Sequence, residues 1–110
     1  MSEQASFVAV VPLDELRPGF ATTHMVEGLE IVITLTEDGE PRAWDAQCPH
    51  ADFQLVPSRL KRGCELECPM HGARFDVRDG SVTKGPAKDP LVPIEARVQD
   101  GIVLVLADWL

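Results

Sequence analysis

Short runs of alternating apolar and polar residues, separated by turn signals, cover most of this chain. The clearest run spans 29–36, where apolar and polar residues fall on opposite faces: Leu29, Ile31, Ile33 and Leu35 against Glu30, Thr34 and Thr36. Further strands are predicted over 7–11, 20–26, 41–47, 73–77, 81–83, 94–98 and 102–106. The run 102–106 is apolar throughout, which predicts a central strand.

Turn signals lie between these predicted strands. Asp38-Gly39, Arg78-Asp79-Gly80 and Asp100-Gly101 each favour a hairpin. The segment 13–16 is the one stretch with a helical pattern, and it is long enough for a single turn. Many short strands with regular turns predict an all-β fold, either an antiparallel β-sandwich or a partly open barrel.

Length and composition predict one domain over 1–110. The 110 residues are 45% hydrophobic, enough for one core, and neither linker nor repeat divides them. The first residues lack the basic start of a secretory signal, and the apolar run 102–107 is too short to span a bilayer. We therefore expect a soluble, cytoplasmic protein with no membrane partner. Three cysteines, two of them close to a histidine, favour metal binding over disulfides.

The net charge of −8 argues against a nucleic-acid partner, because binding a phosphate backbone requires a basic face. The charge is unevenly distributed. Between 45 and 88 the sequence has seven basic and six acidic residues, whereas the remainder has three basic and twelve acidic ones. This asymmetry could orient the molecule as it meets a partner, or could simply aid solubility.

Two short motifs carry the candidate chemistry. Cys48-Pro49-His50 is followed, after seventeen residues, by Cys68-Pro69-Met70-His71. Each proline restricts the cysteine before it to extended backbone and so stiffens the loop. The following Gly72 can adopt a positive φ and allows a tight turn. Two thiolates and two imidazoles suit an iron–sulfur centre in which histidines replace two cysteines.

Other chemistries compete for these residues. Structural zinc accepts the same donors, but zinc fingers usually group their cysteines apart from their histidines. A catalytic Cys-His pair does not explain why there are two pairs, and mononuclear iron favours a carboxylate over two cysteines. Cys64 precedes Cys68 on a predicted strand, about 13 Å away at 3.3 Å per residue, and we interpret it as a bystander. His24 has no partner motif and is interpreted as structural or exposed.

The motif Cys-x-His-x17-Cys-x2-His resembles that of Rieske [2Fe–2S] proteins. The resemblance extends to the Asp79-Gly80 turn and to Gly85-Pro86-Ala87, which is similar to the proline loop of that family. It implies a β-sandwich with a small cluster-binding subdomain, at about 45–85, inserted between scaffold strands. It also implies one cluster per chain, with Cys48 and Cys68 on one iron and His50 and His71 on the other.

The resemblance also predicts a low reduction potential. Respiratory Rieske proteins have a disulfide between their two loops, and a serine and a tyrosine that donate hydrogen bonds near the cluster. The corresponding positions here are Phe53, Met70, Ala73 and Phe75, and the chain contains no tyrosine. Fewer donors disfavour the more negative, reduced state, so we expect a potential on the order of −150 mV rather than +300 mV.

The run His50-Ala51-Asp52-Phe53-Gln54-Leu55 resembles that of ferredoxin components of bacterial aromatic-ring dioxygenases. The implied function is one-electron transfer from a flavin-dependent reductase to a terminal Rieske oxygenase, by a monomeric carrier that is not an enzyme by itself. Two alternatives stay open at this point. One is a small Rieske subunit of a larger redox enzyme such as nitrite reductase, and the other is a zinc-stabilised binding module.

Overall fold

The computed structural model describes residues 6–48, 54–69, 72–85 and 88–108. Eleven strands in this part of the chain form three antiparallel sheets, and a 3-10 turn at Leu13–Glu15 is the only helical segment described. The predicted all-β fold is thereby confirmed. Among the described residues, no helix has the length and apolar character needed to cross a membrane.

The eleven strands are short. They are β1 Phe7–Pro12, β2 Phe20–Val26, β3 Leu29–Leu35, β4 Pro41–Asp45, β5 Ser58–Arg59, β6 Glu65–Glu67, β7 Arg74–Asp76, β8 Val82–Lys84, β9 Pro93–Ile94, β10 Ala96–Gln99 and β11 Ile102–Leu106. The sheet orders are β1-β11-β10, β5-β2-β3-β4-β9 and β6-β7-β8.

The five-stranded sheet forms the middle layer of the molecule. One of its faces meets the β1-β11-β10 sheet in a scaffold core, which includes Ile31, Ile33, Val103 and Val105. The other face meets the β6-β7-β8 sheet in a second core that we call the loop-side core, which includes Val32, Trp44, Leu66 and Phe75. Each sheet therefore buries its apolar face against a neighbour, as layered β folds require.

Strand β3 differs from its predicted pattern. Its alternation places Ile31 and Ile33 in the scaffold core, but the opposite face is also covered, so that Val32 and Thr34 are fully buried. The hydroxyl of Thr34 accepts a hydrogen bond of 3.1 Å from the indole Nε1 of Trp44. A threonine can lie on this buried face because its polar group has a partner.

Strand β11 is central in its sheet, as predicted, since it pairs with both β1 and β10. Its side chains are less buried than the apolar run 102–106 suggested. Val103 and Val105 are buried, whereas Ile102, Leu104 and Leu106 are only partly covered. A three-layer molecule leaves the outer face of an outer sheet open, so the apolar run 102–106 reflects its position at the sheet centre more than burial on two sides.

The chain between β4 and β9 carries the candidate motifs. These two strands are neighbours in the middle sheet, with Trp44 opposite Pro93, yet 47 residues separate them in sequence. The intervening chain forms the β6-β7-β8 sheet, and it returns once to the middle sheet where β5 pairs with β2. The subdomain limits of about 45–85 stay a prediction, because β5 ties this region to the scaffold.

Candidate metal centre

The first motif begins at the end of β4, in a loop whose base is closed by backbone pairing. Gln47 and Gln54 form an antiparallel bridge, and the N–H of Leu55 donates to the carbonyl of Ala46 at 2.6 Å. Cys48 therefore lies directly inside the closed base of this loop. His50, two residues further along the chain, lies outside the described residues.

The second motif lies in a loop that joins β6 to β7 and is closed in a similar way. The N–H of Cys68 donates to the carbonyl of Ala73 at 2.7 Å, and the N–H of Gly72 donates to the carbonyl of Cys68 at 3.0 Å. Gly72 has a φ of +76°, a left-handed conformation that disfavours residues with a Cβ. His71 and Met70 lie outside the described residues.

The two cysteines come from different loops but share the loop-side core. Cys48 is 1% exposed and Cys68 is fully buried, and both belong to the same group of buried residues as Leu55, Leu66 and Phe75. All three cysteines of the chain lie in its described part, and none of them is in a disulfide. The fold thus places in one core the two thiols that the sequence paired with histidines.

This donor set fits a metal cluster held between two loops. Each thiol is at the inner end of its loop, and each loop carries a histidine two or three residues later in the sequence. The described residues by themselves contain no group of three or more His, Cys, Asp or Glu side chains arranged as a metal site. The ligand set Cys48, His50, Cys68 and His71 therefore stays a prediction, supported by the burial of its two thiols in one core.

The two other residues considered as ligands lie elsewhere. Cys64 is half-buried in the turn before β6, and its carbonyl accepts from the N–H of Val77 at 2.8 Å. It is therefore at the opposite end of β6 from Cys68. His24 lies on β2, where its Nε2 is 2.8 Å from the hydroxyl of Thr22. Partial burial lowers the pKa of the His24 imidazole below its usual value, because desolvation disfavours the charged form.

The described side chains that share the loop-side core with the buried thiols are apolar. Ala73 and Phe75 are fully buried, and neither carries a hydroxyl that could donate to a sulfur. Trp44 is 3% exposed and lies in the same core, where its N–H donates to the hydroxyl of Thr34. Phe53 and Met70 lie outside the described residues.

Charged side chains line the base of the second loop. The Nε of Arg74 lies 3.4 Å from a carboxylate oxygen of Glu67, and its Nη1 lies 3.8 Å from a carboxylate oxygen of Glu65. Lys61 lies 3.6 Å from the other carboxylate oxygen of Glu67. Since β6 ends at Glu67 and β7 begins at Arg74, this ion-pair network bridges the two strands from which the loop emerges.

The β7–β8 hairpin is held by its own polar contacts. The guanidinium of Arg78 donates to both oxygens of Asp76, with distances down to 2.6 Å, and holds the pKa of that carboxyl below its usual value. The backbone N–H of Ser81 and its hydroxyl both donate to Asp79, which lowers the pKa of Asp79. These contacts fix the turn that packs beneath Trp44.

Comparison with known proteins identifies the class of protein. Residues 6–100 match the family model of the Rieske [2Fe–2S] domain, and the chain belongs to this family. The cofactor of the family is a [2Fe–2S] cluster, and the predicted Rieske-type cluster is confirmed at this level.

The chain resembles ferredoxins in particular. It is 32% identical to the 3-phenylpropionate/cinnamic acid dioxygenase ferredoxin subunit of Photorhabdus laumondii subsp. laumondii, across 87% of this chain and 90% of that protein. The ferredoxin of carbazole 1,9a-dioxygenase from Nocardioides aromaticivorans IC177 has a TM-score of 0.81, with 33% identity over 93% of this chain and 98% of that one. The predicted resemblance to dioxygenase ferredoxin components, which are not enzymes by themselves, is confirmed.

Two further similar proteins show where this domain occurs. The chain is 32% identical to the cholesterol 7-desaturase of Hemicentrotus pulcherrimus, but it spans only 24% of that protein. A structure of the complex of reduced oxygenase and oxidized ferredoxin in carbazole 1,9a-dioxygenase contains a chain with a TM-score of 0.81 and 26% identity, covering 94% of each chain. The Rieske fold thus occurs in ferredoxins and within larger proteins.

Proposed function

We propose that this protein is a soluble, cytoplasmic, monomeric Rieske ferredoxin that carries single electrons. In this role it receives an electron from a flavin-dependent reductase and passes it to a terminal ring-hydroxylating oxygenase. The cluster supplies the redox chemistry, whereas the protein holds it, tunes its potential and provides a surface for docking. Cys48, His50, Cys68 and His71 are the proposed ligands.

The observation that carries this proposal is the burial of Cys48 and Cys68 in one core at the closed bases of two loops. A cluster held there would have its thiol-bound side toward the core. The histidines follow further along each loop, so the imidazole-bound side would face outward. This orientation provides a short route for an electron to a docked partner.

The oxygenase partner is supported by the solved complex of an oxygenase with a ferredoxin that this chain resembles. The hypothesis that this chain is a ferredoxin is further supported by the length of the matches, which extend over 90% or more of the two dioxygenase ferredoxin subunits. The low potential is supported by the buried Ala73 and Phe75, neither of which carries a hydroxyl that could donate to a sulfur.

Iron and acid-labile sulfide analysis, with an EPR spectrum of the dithionite-reduced protein, tests the proposal directly. We expect two iron and two sulfide per chain and the rhombic signal of a Rieske cluster. Cys48→Ser and His71→Ala should each abolish that signal, whereas Cys64→Ser should retain it as the matched control. A colourless protein that binds zinc would contradict the proposal.

Gel filtration of a native extract tests whether the protein is a separate carrier. A carrier elutes at the size of a monomer and reduces its oxygenase during transient encounters. Constant co-elution with a large sirohaem protein would instead assign it as a subunit of a nitrite reductase.

A further inference from the structure

A groove of about 210 Å³ lies beside the β6-β7-β8 sheet, close to the second loop. Its lining contains three cations and one carboxylate: Arg62, Arg74 and Lys84 with Glu65, and also Thr83. Arg74 lies opposite Lys84 in the sheet, so the two side chains share one face. The groove is on the face opposite to the buried Leu66 and Phe75.

The groove has a net positive charge even after the ion pairs among its own side chains and their neighbours are subtracted. Arg74 contacts both Glu65 and Glu67, and Lys61 contacts Glu67 from the other side. Arg62 and Lys84 are exposed, and neither forms an ion pair with another described residue. Glu37 lies against Gly63, next to Arg62 in sequence, but it does not line the groove.

This local charge opposes that of the whole chain, whose net charge is −8. A cationic groove on an acidic molecule orients approach, because a negatively charged partner is repelled by most of the surface and attracted at this place. Lys84 and Arg74 also border the segments that lead into the proline loop and the second cysteine loop. A partner docked here would lie near the proposed cluster.

We propose that this groove receives carboxylate side chains of the protein that exchanges electrons with this chain. The inference rests on the proposed function and adds a docking site to it. Arg62 and Lys84, which pair with no other described residue, lie beside a third cation and can pair with aspartate or glutamate side chains on the partner. Nucleic acid is the less favoured ligand, because the strongly acidic remainder of the chain would repel a continuous phosphate backbone.

The conformation of Arg62 offers a way to separate docking from folding. Arg62 has a φ of +57° and precedes Gly63, whose φ is +74°, in a tight turn. Asparagine tolerates this left-handed conformation better than arginine does. Arg62→Asn should therefore preserve or raise stability while it removes a cation from the groove. A loss of binding in this variant is not explained by unfolding.

The test compares the holo protein with Arg62→Asn, Lys84→Gln and the control Arg97→Gln. Arg97 is an exposed cation on β10, in another sheet, where it stacks over Phe7. Binding of a hexaglutamate peptide is measured by calorimetry at low salt. Electron transfer is measured by voltammetry at gold electrodes coated with carboxylate-terminated or hydroxyl-terminated monolayers.

We expect the wild type to bind hexaglutamate and to exchange electrons faster at the carboxylate surface, despite its net negative charge. Each groove variant should weaken both effects about two- to fivefold, as exposed ion pairs do, whereas Arg97→Gln should leave them unchanged. Added salt should reduce the differences. Equal losses in Arg97→Gln, or tighter binding of a single-stranded oligonucleotide than of hexaglutamate, would overturn the inference.

The two proposals fail in different ways. A protein with a Rieske EPR signal that exchanges electrons equally well at both electrodes, with or without the groove cations, keeps its function and lacks the docking site. A protein without a cluster signal and without a response at either electrode has neither.

Discussion

Ala73 lies where the second loop returns to its sheet, and it is fully buried in the loop-side core. Its carbonyl accepts the N–H of Cys68, so the two residues are held side by side at the base of the loop. A methyl group at this position donates no hydrogen bond to a ligand sulfur. At the scale of single residues, Ala73 therefore offers the proposed cluster no hydroxyl donor at this position.

Ala73→Ser should raise the reduction potential. The new hydroxyl can donate to sulfur, and such a bond is stronger when the cluster is reduced and more negative. A difference of about 1 kcal/mol corresponds to roughly 40 mV for one electron. The measurement is a redox titration followed by EPR. Ala43→Ser makes the same change at a buried position of the scaffold core and should leave the potential unaltered.

His24 gives a second prediction at this scale, on pH dependence. Partial burial lowers the pKa of His24 in the folded state, so the unfolded chain binds a proton more readily as the pH falls below about 6.5. The stability contributed by the neutral imidazole is thus present above that pH and lost below it. His24→Gln should flatten the fall in Tm between pH 7 and pH 5. Parallel curves for the two proteins would show that His24 contributes nothing.

The turn of the β7–β8 hairpin makes a close contact with Trp44 of the middle sheet. Gly80 has a φ of +85°, and a Cβ added there would lie 2.8 Å from the ring of Trp44. The N–H of Leu91 donates to the carbonyl of Gly80 at 2.9 Å, which holds the following chain at the same place. At the scale of elements, a glycine lets the hairpin pack directly on the indole.

Gly80→Ala should therefore destabilise the protein by about 2–4 kcal/mol. Left-handed strain contributes about 1 kcal/mol and overpacking against Trp44 a further 1–3 kcal/mol. Gly39→Ala is the matched control, because Gly39 has the same φ of +85° with no atom within 4 Å of the added Cβ. Urea unfolding of both variants separates the two contributions. Equal losses would show that Trp44 moves aside without cost.

At the scale of the whole molecule, two cores lie on opposite faces of the middle sheet. The loop-side core contains both cysteines of the motifs, whereas the scaffold core contains no cysteine. The sheet that covers the loop-side core has short strands, since β6, β7 and β8 contain three residues each. Such short strands bury little apolar surface. A small unit of this kind therefore depends on a further stabilising cross-link, such as a bound metal.

Removal of the cluster should therefore loosen one part of the molecule more than the other. We expect amide hydrogen exchange in β6, β7 and β8 to become at least tenfold faster in the apoprotein, while β3 and β11 retain most of their protection. The comparison of holo and apo forms by mass spectrometry measures this. Uniform loss of protection across both cores would show that the two cores unfold together.

Much of the fold was predictable because its signals are local. Two-residue periodicity, the Asp-Gly turns and the single helical pattern at 13–16 identify most strands and hairpins without any tertiary information. The burial of Thr34, the pairing of β5 with β2 and the groove at Arg62 were not predictable in this way. The excess of basic residues between 45 and 88 was the one signal that could have directed attention to that groove.

The sequence alone determined the class of cofactor, because the type and spacing of the candidate ligands are covalent properties of the chain. Cys48, His50, Cys68 and His71 predicted a Rieske-type cluster, and the family comparison confirms that class of cofactor. The tertiary structure alone showed that the two thiols share a core and that cations from separate strands line one groove. Such contacts depend on sheet order and register, which join residues far apart in sequence, and local patterns do not encode them.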